Sequence, residues 1–169
     1  QTWHVMRKIR RDHPKKAIFN IEHGGYESGP YHVFAGNYYR PDVNLERAYH
    51  IVFAGAYPTH YWQDTAWSVV IHDIADLPTE QQPRLEYYRY LSDFVDKFDL
   101  TRLEPTTGRA NSGFCLTNDE DLFVYLVPKE NDIIIPRPPR EGFSRLQLTW
   151  FDPFTGKYEE EEPIKMEQW

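Results

Sequence analysis

Three segments of the chain repeat apolar residues every three or four positions, which predicts three amphipathic helices. The first helix is stopped by Pro14, the second covers 45–56 after an N-cap at Asn44, and the third runs from Arg84 to about Asp99. Gly55 is the expected terminator of the second helix. The apolar stripes are formed by Trp3, Met6 and Ile9, by Leu45, Ala48, Tyr49, Val52 and Phe53, and by Leu85, Tyr88, Leu91, Val95 and Phe98.

Two short apolar runs in the first half of the chain predict β-strands. They are "KAIFNI" (16–21), after the first helix, and "YPTHYW" (57–62), after the second. Residues 1–75 therefore alternate between helix, strand and loop, and this alternation is typical of a parallel sheet with helices outside it. Because two strands do not make a stable parallel sheet alone, this segment requires further strands from elsewhere.

The C-terminal third has a different pattern, with short apolar runs separated by turn sequences. Such spacing predicts an antiparallel β-sandwich. The turn "DPFTG" suits a tight hairpin, and the acidic run 159–162 suits a solvated edge strand. The candidate strands are 112–117, 122–127, 132–136, 145–152 and 156–162.

Composition narrows the classes of function. The net charge is −7, which argues against a nucleic-acid partner, and no apolar run approaches the roughly 18 residues of a membrane span. Aromatic residues make up 16% of the chain, a bias that suits a packed core and also a sugar-stacking cleft. The single cysteine, Cys115, excludes an intrachain disulfide and is expected to be a buried, inert thiol.

Motifs for metals and cofactors are missing from the sequence. The seven histidines form no HxxxH pair, and no GxGxxG, GxxxxGK[ST] or GxSxG sequence occurs. We therefore expect neither a metal nor a cofactor. The first residues are basic without an apolar h-region and do not begin with Met, so we expect a mature or internal piece of a longer protein.

The sequence "FNIEHGGYE" (19–27) raises the main functional question, because an apolar strand ends there on Glu22. One interpretation is a strand that leaves the core into a solvated turn. The other is a catalytic carboxylate at the mouth of a barrel, since barrel enzymes carry their catalytic groups at the carboxyl ends of the strands.

Three sequences in order, "IEHGGYE", "ERAYHIVFAGA" and "WFDPFTG", resemble the C-terminal part of the apiosidase-like glycoside hydrolases. That family has a TIM-type (β/α)8 barrel followed by a small antiparallel β-sandwich, which is labelled a collagen-binding domain. The resemblance makes 16–21 strand seven and 57–62 strand eight of the barrel.

This resemblance implies three segments: the end of the barrel at 1–83, a helix and linker at 84–110, and the sandwich at 111–169. The first six βα units and the last sandwich strands of the family are missing from this chain. It is thus expected to be a fragment whose partner is the N-terminal part of the barrel, in the same or a separate chain. Such polysaccharide-degrading enzymes are usually exported, which implies an extracytoplasmic location.

The resemblance also implies roles for individual residues. Glu22 takes the place of the nucleophile of a retaining glycosidase, while the acid/base belongs to strand four, which this chain lacks. The chain alone is therefore expected to be inactive. Glu27 is a weaker candidate for the acid/base, and Asp42 and Asp64 are weaker still. The residues expected to bind the carbohydrate substrate are His23, Tyr26, Glu27, His60, Tyr61, Trp62 and Trp67.

Simpler interpretations of these residues remain open. Alternate members of "THYW" can face the core and the helix layer, and His23 can lie at the surface. The alternative function is a non-catalytic carbohydrate- or protein-binding β-sandwich module. Such a module has no need of segment 1–75 or of Glu22 at a strand end, so the sequence favours the glycosidase.

Overall fold

The computed structural model describes residues 2–21, 40–59, 75, 79, 82–107, 113–127 and 145–165. Contacts divide the chain into two compact units, residues 1–88 and 89–169, with the boundary inside a helix. In chain order the described elements are α1 (Thr2–Asp12), β1 (Phe19–Asn20), α2 (Pro41–Val52), β2 (Tyr57–Pro58), α3 (Leu85–Lys97), a 3₁₀ turn (Leu100–Arg102), β3 (Glu104–Thr106), β4 (Phe114–Thr117), β5 (Phe123–Leu126), β6 (Arg145–Leu146), β7 (Thr149–Asp152), β8 (Lys157–Glu160) and β9 (Ile164–Lys165).

Strands β1 and β2 of the first unit are parallel, with Phe19 opposite Tyr57 and Asn20 opposite Pro58. Helix α2 lies between them in the chain, so the three elements follow the order of a βαβ unit. The predicted alternation of helix and parallel strand is confirmed in this part of the chain. The mixed α and β class is confirmed as well, while the closed barrel and the sandwich stay predictions.

Helix α2 begins four residues earlier than predicted, at Pro41. Proline suits the first helical position because its fixed φ is already helical and its missing N–H has no partner there anyway. Asp42 therefore lies in the first turn of α2 and not in a turn before the helix. The N-cap assigned to Asn44 was also wrong, since this residue is inside the helix and only 3% exposed.

The C-terminal end of α2 holds helix α1 in place. The Trp3 indole Nε1 donates a buried hydrogen bond of 2.9 Å to the carbonyl of Phe53. Arg10 Nη1 donates to the carbonyl of Gly55 at 3.0 Å. Gly55 has a φ of +74°, but α2 already ends at Val52 with Phe53 as its C-cap, so the predicted terminator lies just beyond the helix. Carbonyls at a helix C-terminus have no partner within the helix and attract cations. The two side chains of α1 therefore bond to carbonyl groups at and just beyond the C-terminal end of α2.

The described strands of the second unit are all antiparallel. β3, β4 and β5 form a three-stranded sheet, in which β4 and β5 occupy two of the predicted strand positions. β3 was not predicted, because Pro105 argues against a strand; it is tolerated here since β3 is an edge strand of this sheet. β9 was not predicted either, and the candidate strand 132–136 lies outside the described residues.

The predicted strand 145–152 is divided in two. It forms β6 and β7, which pair with different strands, β9 and β8. The break lies at Gln147 and Leu148, where Gln147 Nε2 donates to the carbonyls of Leu148 at 3.1 Å and Glu161 at 2.8 Å. A side chain that bonds to backbone carbonyls at this point competes with the regular ladder.

Helix α3 packs against the β7–β8 hairpin within the second unit. The rings of Phe94 and Phe151 are stacked with centroids 4.5 Å apart, and the Phe98 and Tyr158 rings lie at 6.1 Å. The Lys97 ammonium lies 3.9 Å from the centre of the Tyr158 ring, within the range of a cation–π contact. Leu85 is not part of this apolar stripe as predicted, because it is 57% exposed.

No helix in the described ranges is both long and apolar enough to cross a membrane.

We expect Gly156→Ala to destabilise the second unit by about 2–3 kcal/mol. Gly156 closes the β7–β8 hairpin at a φ of +69°, and an added Cβ would lie 2.6 Å from Cδ1 of Tyr90. Both backbone strain and steric overlap therefore oppose the substitution. Urea unfolding of the chain measures the effect.

Tyr90→Ala and the double variant separate these two causes. The double variant should recover the part of the loss that comes from the overlap. A Gly156→Ala variant as stable as the wild type would contradict this account of the hairpin.

Candidate functional site

The eight residues predicted for the catalytic and sugar-binding site all lie outside the described residues. They fall in two segments of the chain, 22–39 and 60–74. Their mutual geometry therefore stays a prediction, and the described residues inform only on where these segments start. The residues are Glu22, His23, Tyr26, Glu27, His60, Tyr61, Trp62 and Trp67.

The two segments start from neighbouring strand ends. The backbone N–H of Tyr57 donates to the carbonyl of Ile18 at 2.8 Å, and that of Thr59 donates to the carbonyl of Asn20 at 3.2 Å. The Thr59 hydroxyl is 3.4 Å from the same carbonyl of Asn20. Because β1 and β2 are parallel, the chain leaves both strands at the same edge. The next residues in the sequence are Glu22, after Ile21, and His60, after Thr59.

One face of the β1–β2 pair is directed at helix α1. Asn20 is partly buried there, and its Nδ2 lies 3.7 Å from the Sδ of Met6, which is 9% exposed. Successive side chains along a strand alternate between the two faces, so the neighbours of Asn20 belong to the opposite face.

The opposite face of the strand pair is apolar and exposed. Phe19 is 62%, Ile21 71% and Tyr57 41% exposed. The rings of Phe19 and Tyr57 stack on each other with centroids 5.2 Å apart. We refer to these three residues as the apolar strand face. A parallel pair of strands with an uncovered apolar face is unusual, because parallel sheets are normally buried on both sides.

Asp42, one of the two weakest candidates for the acid/base, is paired with Arg40. The Arg40 Nε and Nη2 atoms lie 3.1 Å and 2.5 Å from the two carboxylate oxygens. These hydrogen bonds lower the pKa of Asp42 below its ordinary value. A general acid needs a raised pKa, so this carboxylate is suited to the start of α2 and not to protonating a leaving group. Asp64 lies outside the described residues.

No three His, Cys, Asp or Glu residues of the described ranges are grouped closely enough to hold a metal ion. Cys115 is buried in β4 with 4% exposure, as expected for an inert thiol.

Comparison with protein-family models, with curated proteins and with solved structures gives no match to this chain. The likeness to apiosidase-like glycoside hydrolases therefore remains a prediction from the sequence motifs.

His50 makes the stability of the fold depend on pH. It is half-buried on α2, and burial lowers its pKa below 6.5, although Glu46, whose Oε1 is 3.9 Å from Nε2, opposes this shift. The unfolded chain then binds a proton more readily than the folded chain. We expect the contribution of His50 to the free energy of unfolding to be fully present above pH 6.5 and to be lost as the pH falls below that value.

Urea unfolding at several pH values between 7 and 5 tests this. His50→Gln should flatten this part of the profile, whereas His13→Gln, at an exposed position, serves as the control. A His50→Gln profile that is parallel to the wild-type profile would show that the histidine makes no contribution.

Proposed function

We propose that this chain forms the last two βα units of the barrel of a retaining glycoside hydrolase, with Glu22 as the nucleophile. The substrate is a polysaccharide or an oligosaccharide. The observation that supports this most is the parallel pair β1–β2, whose strands end at one edge immediately before Glu22 and His60 in the sequence. In barrels the carboxyl ends of the strands carry the catalytic groups.

The proposed reaction has two steps. In the first, the carboxylate of Glu22 attacks the anomeric carbon, the glycosidic C–O bond breaks, and the leaving oxygen takes a proton from a second carboxyl group about 5–5.5 Å away. In the second, that group removes a proton from water, and the water oxygen displaces Glu22 from the same carbon. By the family resemblance, the second carboxyl group is on strand four, outside this chain.

The neighbouring residues in the sequence have the chemistry that such a site needs. The phenol of Tyr26 can donate to the ionised carboxylate of Glu22 and stabilise it. Tyr61, Trp62 and Trp67 can stack on the apolar face of a sugar ring. We assign His23, Glu27 and His60 to the hydroxyl groups of the substrate.

The apolar strand face supports the proposed partner, which is the remaining part of the barrel. Helix α1 packs on one side of β1, while Phe19, Ile21 and Tyr57 are exposed on the other. In a parallel barrel the helices form the outer ring and the side chains of the opposite face fill the interior. Further strands would therefore cover these three residues. By the family resemblance, we place the enzyme outside the cytoplasm.

We expect Glu22→Gln in the intact enzyme to lower kcat by at least about 1,000-fold. Glutamine keeps the shape of the side chain but has no charge with which to attack the anomeric carbon. Glu120→Gln, at an exposed position between β4 and β5, is the matched control and should leave kcat unchanged. Turnover of an aryl glycoside and the circular dichroism of both variants are the measurements.

Azide rescue distinguishes a nucleophile from any other essential carboxylate. With Glu22→Ala, azide can enter the vacated space and attack the sugar once, so the product is a glycosyl azide with inverted configuration at the anomeric carbon. Near-wild-type turnover of Glu22→Gln, or an azide product with retained configuration, would contradict the assignment.

The apolar strand face generates a second prediction. Phe19→Ser and Tyr57→Ser should each lower the stability of the isolated chain by about 1 kcal/mol or less, because both rings are already exposed. The same changes should strongly reduce activity of the intact enzyme, where the rings would be buried. The measurements are urea unfolding of the chain and turnover of the intact enzyme.

Val5→Ser provides the control, since Val5 is 53% exposed but lies on α1 and not on the strand face. It should leave the activity unchanged. If Phe19→Ser and Tyr57→Ser behaved like Val5→Ser in the intact enzyme, no further strands would cover this face.

The alternative function, a non-catalytic binding module, is favoured by one observation. The second unit, residues 89–169, is compact by itself, and its described strands are all antiparallel. This alternative would be supported if the chain bound carbohydrate or protein but showed no hydrolysis when combined with the N-terminal part of the barrel.

A further inference from the structure

The β7–β8 hairpin has two different faces. Phe151 and Tyr158 are directed at helix α3, as their ring contacts with Phe94 and Phe98 show. The cross-strand pairs on the other face are Trp150 with Glu159 and Asp152 with Lys157. We call this second side the outer face of the hairpin. It also includes Glu161, whose backbone N–H continues the ladder by donating to Leu148 at 3.0 Å.

Trp150 lies on the outer face as an exposed but oriented ring. It is 43% exposed, and its indole Nε1 donates to Oε1 of Glu161 at 3.0 Å. The bond fixes one edge of the ring while leaving a large part of the indole accessible to solvent. Binding of a ligand to an already oriented ring costs less side-chain entropy than binding to a freely rotating ring.

The charged neighbours of Trp150 differ in whether they are already engaged. Asp152 accepts bonds of 2.8 Å from the backbone N–H of Phe154 and from the hydroxyl of Thr155, so both its oxygens serve the hairpin turn. Glu161 is engaged by Trp150 itself. The side chains of Lys157 and Glu159 make no hydrogen bond or ion pair in the part of the chain that the structure describes, although their backbones belong to the ladder. The outer face therefore presents one hydrogen-bond donor group and one acceptor group of opposite charge.

We propose that the outer face of the hairpin binds a neutral sugar unit, with Trp150 as the stacking surface. The apolar side of a pyranose fits an exposed indole, and its hydroxyl groups both donate and accept hydrogen bonds. Glu159 accepts from one hydroxyl and Lys157 donates to another. The two side chains that no other group engages can therefore match the donating and the accepting hydroxyl groups of a neutral polyol.

The choice of carbohydrate as the ligand rests on the proposed function, whereas the site itself is separate from Glu22. The hairpin would hold a neighbouring part of the same neutral polysaccharide. Binding here needs no catalytic carboxylate, so binding and hydrolysis are expected to be lost independently of each other.

Nuclear magnetic resonance of the ¹⁵N-labelled 169-residue chain tests the proposal directly. The indole N–H signal of Trp150 is identified by its loss in Trp150→Phe. Neutral hexasaccharides of glucan, xylan, mannan, galactan and arabinan are then titrated, with hexagalacturonate and a hexalysine peptide as charged probes. We expect the Trp150 signal to shift with at least one neutral hexasaccharide, with a Kd of about 1 mM or tighter.

Two variants at exposed aromatic positions of the same hairpin are compared. Trp150→Ala should weaken binding of that hexasaccharide at least tenfold, while Phe154→Ala, at a position that is 41% exposed in the turn, should leave it unchanged. Both side chains are exposed, so neither change should unfold the hairpin, and circular dichroism verifies this.

The results separate this site from the proposed enzyme function. If none of the neutral sugars shifts the Trp150 signal, or if only hexalysine or hexagalacturonate does, the sugar site on the hairpin is wrong. Loss of hydrolysis in Glu22→Gln with unchanged binding at Trp150 would support both. Unchanged binding in Trp150→Ala would overturn the hairpin site and leave the assignment of Glu22 intact.

Discussion

The parallel hydrogen bonding between β1 and β2 is the interaction on which the functional account depends. Bonds from Tyr57 to Ile18 and from Thr59 to Asn20 fix both the direction and the register of the two strands. A parallel pair needs a crossover connection, and α2 lies within it. The register also brings the chain out of both strands at one edge. An antiparallel pairing of the same residues would send the segments beginning with Glu22 and His60 in opposite directions.

The described helices α1 and α2 of the first unit account for one side of this pair. Trp3 and Arg10 attach α1 to the carbonyls at the end of α2, and Met6 contacts Asn20 from the helix side. The buried side chains of α2, such as Leu45 and Ile51, complete this layer. Burial of apolar surface is the main stabilising contribution in folding, so the exposed rings of Phe19 and Tyr57 leave part of that contribution unused. An additional layer of strands would supply it.

How much of the structure could be predicted from the sequence depends on the range of the interactions involved. Helix periodicity located α1 through Trp3 and Met6 and α3 through Leu91. The buried residue that follows Leu91 on α3 is Phe94 and not the predicted Val95. The start of α2 was missed because Asn44 has a good N-cap side chain, yet Pro41 and the pair Arg40–Asp42 begin the helix earlier.

Strands stabilised by distant pairing were harder to predict. β3 and β9 contain few apolar residues and exist because they pair with β4 and β6. The candidate catalytic residues were predicted from the order of motifs along the chain. The described residues include the strand ends that precede them and not the candidates themselves. The sequence did not indicate a binding surface around Trp150. Which charged side chains there remain available depends on the bonds that Asp152 accepts in the turn and on the bond from Trp150 to Glu161.

Trapping of the covalent intermediate tests the central claim most directly. The intact enzyme is incubated with a panel of activated 2-deoxy-2-fluoro glycosides, which slow the second step and let the glycosyl-enzyme accumulate. Peptide mass spectrometry then locates the sugar. The account predicts that the label is on Glu22, in the peptide that contains "FNIEHGGYE". A label on any other carboxylate would contradict it.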